Sequence, residues 1–196
     1  MKILAALAAV PICISSHAAA QSMPRVIPVD NGINQVELHG QPAMVVRAWR
    51  ENFNAHGFDV ISMFVKETSG SGNGSWNIVP IFDREAGNPE RLNFVAGGGA
   101  DCQLRDFRLL TSAEGKSTQL VTATRDAGAS FADPANVRFD YYELTENSDE
   151  VPGWPKLYFK WQKSVMAREQ YCDVNIALDR ELRLGLSSGS RIDGKE

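Results

Sequence analysis

The chain has 196 residues and a formal net charge of −4 at pH 7, with 24 acidic side chains against 20 basic ones. An acidic balance without a basic cluster argues against a nucleic-acid partner. Beyond the N-terminal segment no apolar run approaches the ~20 residues needed to span a bilayer.

Residues 1–20, MKILAALAAVPICISSHAAA, place a basic Lys2 before an apolar run that ends in Ala18-Ala19-Ala20. This is the pattern of a secretory signal peptide with a small-residue cleavage site, and it predicts a periplasmic or secreted protein. No membrane association is expected after cleavage. The signal would carry away Cys13, leaving Cys102 and Cys172 out of three cysteines. An even remainder in an oxidising compartment predicts a disulfide. The chain-entropy model credits such a loop with roughly 4 kcal/mol. The alternative is two buried free thiols.

Residues 21–32 read as an irregular lead containing Pro24 and Pro28. A single β-rich domain is expected over 33–184. NQVEL (34–38) and AMVVRAWRE (43–51) read as strands around an HGQP turn. FDVISMFVKE (58–67) is apolar on both faces, which predicts a central, buried strand. After the loop TSGSGNGS come the strands WNIVPIFD and RLNFVAG, joined by the turn REAGNPE. CQLRDFRLLTS is ambiguous, because Leu104, Phe107 and Leu110 also fit a helical spacing; the hairpin partner TQLVTATRD favours a strand. VRFDYYELT alternates Val137, Phe139 and Tyr141 against Arg138, Asp140 and Tyr142. KLYFKWQKSVM alternates Leu157, Phe159 and Trp161 against Tyr158, Lys160 and Gln162, and the two segments pair as a hairpin. In AREQYCDVNIALDRELRLGL the period changes: Tyr171, Val174, Leu178 and Leu182 recur at helical spacing. Residues 185–196 are Gly/Ser-rich and polar, and predict a disordered tail. The fold class is mainly β with a C-terminal helix. Its architecture is an antiparallel β-sandwich or strongly bent sheet of about eight strands, with one helix packed on it. Cys102 and Cys172 would staple that helix to the sheet.

Catalytic signatures are missing. The three histidines, His17, His39 and His56, lack zinc-ligand spacing. There is no G-x-S-x-G elbow and no S-x-x-K acyl-serine motif. AGGGAD (96–101) lacks the G-K-[ST] ending of a phosphate loop. VELHGQPAMVV has the outline of a calcium hairpin, but His39 and Gln41 stand where acids are needed. No metal and no cofactor are expected. Three features are candidates for ligand binding. RENFNAHGFD contributes Arg50, Asn52, Asn54, His56 and Asp59, although Asn54 and Gly57 are equally turn residues over a packed Phe53 and Phe58. Trp154, between prolines in VPGWP, either anchors a partner or folds over the sheet edge. The acidic cluster Glu146, Asp149 and Glu150 reads as a solvated turn.

The segments RAWRENFNAHGFD, ADCQLRDFRLL, VRFDYYELTENSDEVPGWP and YCDVNIAL, in that order, resemble the carbapenem self-resistance proteins of the CarG-like family. The resemblance runs from about Ile33 to Leu184 and lies in segment order and cysteine context. It implies an exported, β-rich, non-enzymatic protein that protects against a β-lactam by binding or sequestration rather than hydrolysis, and that is able to form a homodimer. It carries no binding residue over to this chain. The partner would then be a β-lactam or another small molecule. A second class of reading is an interaction module that inhibits a lysozyme or other cell-wall enzyme through a loop. A third is a hydrolase with His56 as base. Site chemistry, not fold, has to decide among them.

Overall fold

A computed structural model describes residues 24–67, 74–83, 90–98, 102–128 and 130–185. The signal segment, the core of the TSGSGNGS loop and residues 186–196 of the tail lie outside the described residues.

The described chain forms eleven strands and one helix: β1 (Arg25–Ile27), β2 (Gly32–Leu38), β3 (Gln41–Arg50), β4 (Phe58–Lys66), β5 (Trp76–Ile78), β6 (Ile81–Phe82), β7 (Phe94–Gly97), β8 (Arg105–Thr111), β9 (Thr118–Arg125), β10 (Ala135–Glu146), β11 (Leu157–Tyr171) and α1 (Val174–Leu182). All strands belong to one sheet, ordered β2-β3-β4-β7-β8-β9-β10-β11-β6, with β1 added to β8 and β5 to β4. The bent-sheet form of the expectation is therefore the observed one. The count rises from about eight because short strands escape a pattern search. β1 is one of them: the lead is not irregular throughout, since Arg25–Ile27 pairs with Leu109–Thr111.

The sheet is mixed rather than antiparallel. Residues 76–82 pair antiparallel with β4 and then run parallel to β11. The exchange happens at Val79-Pro80. The Val79 amide still donates to Met63 O at 2.8 Å, while Pro80 O accepts from the Phe159 amide at 2.8 Å. Proline has no N–H with which to continue the β4 ladder, so the chain is free to change partner there.

The bend folds β2–β4 against β8–β11. Their facing side chains, among them Leu38, Val45, Ile61 and Met63 against Leu109, Leu120, Leu144 and Phe159, form the larger core. β4 is central, as its two apolar faces predict: Asp59, Ile61, Met63 and Val65 are buried, and the residues between them are half-buried. β8 is buried on both faces from Asp106 to Thr111, which is why its spacing is ambiguous in the sequence.

A second core lies on the outer face of β8–β11. Leu110, Val121, Val137 and Phe139 receive Val174, Ala177 and Leu178 of α1. The helix is shorter than the periodicity suggests. Ala167–Tyr171 belongs to β11, with Tyr171 opposite Ala135. The period of Tyr171, Val174 and Leu178 spans a strand end and a helix because all three cover the same apolar patch. Asp173 caps the helix by accepting from the Asn175 amide at 2.7 Å. Cys102 and Cys172 are joined, with Cα atoms 5.3 Å apart, just before that cap. Arg108 ties α1 and the chain beyond it to the sheet, donating to Asn175 Oδ1 and Gly185 O at 2.8 and 2.7 Å.

One ion pair is almost entirely buried. Arg47 on β3 is 2% exposed and donates through Nε and Nη2 to Asp59 Oδ2 on β4, at 2.8 and 2.6 Å. Removing one partner from such a pair leaves an uncompensated charge, which costs far more than the intact pair contributes.

Candidate functional site

Strands β8 to β11 run side by side, and their registers align the residues of the concave face in rows. One row is Leu109, Leu120, Tyr142 and Trp161. The next is Phe107, Thr122, Asp140 and Ser164. The third is Arg105, Thr124, Arg138 and Met166. The face thus passes from core hydrocarbon to hydroxyls and charges within three rows. Alternation alone would not produce the second row. At β11 the register slips by one residue between Tyr141 and Tyr142, leaving Gln162 without an opposite residue. This bulge reverses the phase of the strand. Trp161 faces the concave side before it and Ser164 after it, while Lys163 turns outward, with Nζ 4.9 Å from the Tyr141 ring centroid.

Members of all three rows line a cleft of about 640 Å³, completed by Asp83 after β6, by Arg91, and by Phe94 and Val95 of β7. That volume lies within the ~300–1,000 Å³ typical of small-molecule sites. Phe94 packs edge to face on Phe107, with centroids 5.0 Å apart. Above this apolar base the polar groups are interlinked. Arg91 grips Asp83 bidentately, with Nε and Nη2 each 2.7 Å from a carboxylate oxygen. Tyr142 Oη donates to Asp83 Oδ1 at 2.8 Å. Arg138 Nε donates to Asp140 Oδ2 at 3.0 Å. Ser164 Oγ donates to Asp140 Oδ1, and Trp161 Nε1 donates to Ser164 Oγ at 3.3 Å. Asp106, also at the lining, is buried and meets Arg108 Nη1 at 3.3 Å.

The electrostatics follow from this wiring. Burial pushes the Asp83 carboxyl up, but the hydrogen bonds from Arg91 and Tyr142 and the Arg91 and Arg138 charges outweigh it, so its pKa lies below the usual value. Burial drives Asp106 above the usual range despite Arg108 and Arg47. Tyr142 is raised by burial and by its bond to Asp83, which keeps the phenol protonated.

The residues singled out in the sequence lie elsewhere and do not converge. The registers Phe58–Gly97, Gly97–Arg105, Arg105–Thr124 and Thr124–Arg138 put the β3–β4 loop at the charged end of the cleft. Trp154 sits in the β10–β11 turn at the other end. Asn52 Nδ2 donates to His56 O at 2.6 Å, and Asn54 Oδ1 accepts from the His56 amide at 2.9 Å. The guanidinium of Arg50 lies 5.7 Å from the Phe58 ring centroid. Asp59 is committed to Arg47. Gly57 is required by packing, since a Cβ there would lie 2.1 Å from the Trp49 indole. Phe53 does not pack down as expected; it is 97% exposed, with φ 55°. Trp154 stacks on Phe82 at 4.9 Å and tilts against Tyr158 at 5.4 Å, so it folds over the β6 edge. Among the described residues, no three His, Cys, Asp or Glu side chains gather to hold a metal.

The cleft residues were within reach of the sequence only as one half of an alternation. Arg138, Asp140 and Tyr142 read as the solvent face of a half-buried strand. Their partners Thr122, Thr124 and Ser164 become neighbours only through register and bulge.

Comparison with known proteins agrees with the fold. No curated protein matches the sequence. A solved structure, the crystal structure of CarG, is similar to this chain with a TM-score of 0.64 and 23% identity, covering 79% of this chain and 94% of that one. The family model for carbapenem resistance proteins of the CarG-like type matches residues 29–180. That match takes in β2 to β11 and most of α1, and the chain belongs to the CarG-like family of carbapenem resistance proteins.

Proposed function

We propose that the protein is exported and protects the cell from a β-lactam by binding it in the β8–β11 cleft without hydrolysing it. Family membership supports the link to carbapenem resistance. The observation that carries the binding half is the state of Ser164. Its hydroxyl donates to Asp140, whose other oxygen is taken by Arg138. Acyl transfer needs a nucleophile beside an available base, and among the described residues neither lysine nor histidine lines the cleft. The remaining groups suit recognition: an indole, hydroxyls and guanidiniums around an apolar base.

The test is expression of the full chain in a carbapenem-sensitive bacterium. Susceptibility, drug integrity in the medium and fractionation of the protein are followed together. Protection with intact drug and protein in the exported fraction is the expected result. Ring-opened drug would overturn the non-enzymatic reading, and protein retained in the cytoplasm would overturn export.

A second reading, inhibition of a cell-wall hydrolase, draws on Phe53. A fully exposed aromatic at a loop tip is the kind of side chain that seats in a partner's cleft. A lysozyme assay comparing the protein with Phe53→Ala decides it: no inhibition by the parent protein removes this reading.

A further inference from the structure

We infer that the row Arg105–Thr124–Arg138 is a carboxylate-binding subsite and that the cleft takes monoanionic ligands; this rests on the binding reading above and names its ligand class. Each acid of the cleft already has its own cation: Asp83 has Arg91, Asp140 has Arg138 and Asp106 has Arg108. Among the described residues of the lining, Arg91 and Arg138 hold Asp83 and Asp140, Asp106 is held by Arg108 from outside the lining, and Arg105 holds no acid. The uncompensated charge is Arg105. Among the described residues its guanidinium makes no hydrogen bond and no ion pair, although it lies at the rim of the cleft.

Its neighbours make it a site rather than a stray surface cation. Arg105 is directly opposite Thr124, and Thr124 is directly opposite Arg138. Adjacent strands lie roughly 4.8 Å apart, so the two arginines originate about 10 Å apart with a hydroxyl between them. Arg138 is bonded to Asp140 through Nε, its side chain is 52% exposed, and no bond from its terminal nitrogens is present among the described residues. Two arginines flanking one threonine can hold a carboxylate by charge-assisted hydrogen bonds. Behind that row the apolar body of a ligand meets Phe94 and Trp161. The arrangement selects a compact ring system carrying a single carboxylate, a description that a carbapenem nucleus satisfies. A dianion would meet Asp140 and Asp83 deeper in the cleft, which disfavours it.

The experiment uses the full chain with benzoate, its neutral counterpart benzamide, and meropenem with its methyl ester. Binding is followed by amide chemical shifts on β8–β11 and by indole fluorescence. Benzoate should shift Thr124 and its neighbours while benzamide does not. Arg105→Ala should lower benzoate affinity about tenfold or more, and Arg105→Lys should recover part of it. Because Arg105 is exposed, the thermal melt of Arg105→Ala should match that of the parent. Equal response to benzoate and benzamide, unchanged affinity in Arg105→Ala, or no shift in the cleft would each overturn the inference. Benzoate binding at Arg105 without meropenem binding would leave the carboxylate subsite standing and remove the β-lactam reading. Loss of meropenem affinity on esterification, matched by Arg105→Ala, would support both.

Discussion

The β3–β4 loop and the cleft beside it are both dense in polar side chains, and they use them in opposite ways. In the loop, Asn52 and Asn54 hydrogen-bond to the backbone of His56, four and two residues away. These bonds hold the loop's own shape. In the cleft, short-range bonds are joined by partners from far along the chain: Tyr142 reaches Asp83 across 59 residues and Ser164 reaches Asp140 across 24. Long-range pairs of this kind hold walls apart and leave an opening between them. Local polar density here builds a turn, whereas polar residues in phase on neighbouring strands line the cleft.

Variants separate the two regions, beginning with the pair that supports both. Arg47→Met leaves Asp59 buried without its cation, and a loss of roughly 3–5 kcal/mol in urea unfolding is expected. A loss under about 1 kcal/mol would show that the β3–β4 end does not depend on this pair. Reduction or replacement of Cys102 and Cys172 should cost about 2–4 kcal/mol by the same measurement. The damage should fall first on α1 and the outer core, leaving cleft shifts largely in place.

The next effect is smaller and depends on pH. Asp83 has a folded pKa below its unfolded value of about 3.9, so its stabilisation is complete above that value and is lost as pH falls through the folded one. Asp83→Asn should flatten the acid limb of stability against pH and weaken cleft ligands. Superimposable acid limbs would show that Asp83 does not anchor the wall. The smallest effect belongs to the loop: His56→Ala should change stability by no more than about 0.5 kcal/mol, since only its backbone takes part. If His56→Ala weakened ligand binding as much as Asp83→Asn, the contrast between the two regions would collapse.

The pattern of sequence success follows the same physics. β4 was legible because apolar residues on both faces leave only a central position. The hairpin β10–β11 was legible because its alternation is strong and continuous. β1, β5 and β6 are only two or three residues long, and their pairing is decided by neighbours rather than by their own composition. The helix start was misplaced because Tyr171 and Val174 cover one patch from two kinds of backbone. The loop drew attention through Asn, His and Gly, which are equally the residues of tight turns. The cleft stayed hidden because alternation says which residues share a face, but not which face is covered. On β10 both faces are covered, one by α1 and one by the bend of the sheet.

The extra residue at Gln162 has a consequence for how this site can change. Side-chain direction along a strand is read in twos, so one inserted residue acts as a shift of reading frame for everything beyond it. If the same residues paired without the bulge, Lys163 rather than Ser164 would stand opposite Asp140 in the cleft. An acid now satisfied by a hydroxyl and an arginine would then face an amine, and the charge of the pocket would change by a full unit without any substitution among its residues. In this architecture the placement of one unpaired residue on β11 decides which side chains enter the cleft, and the register of that strand is as much a part of the cleft's chemistry as the side chains it carries.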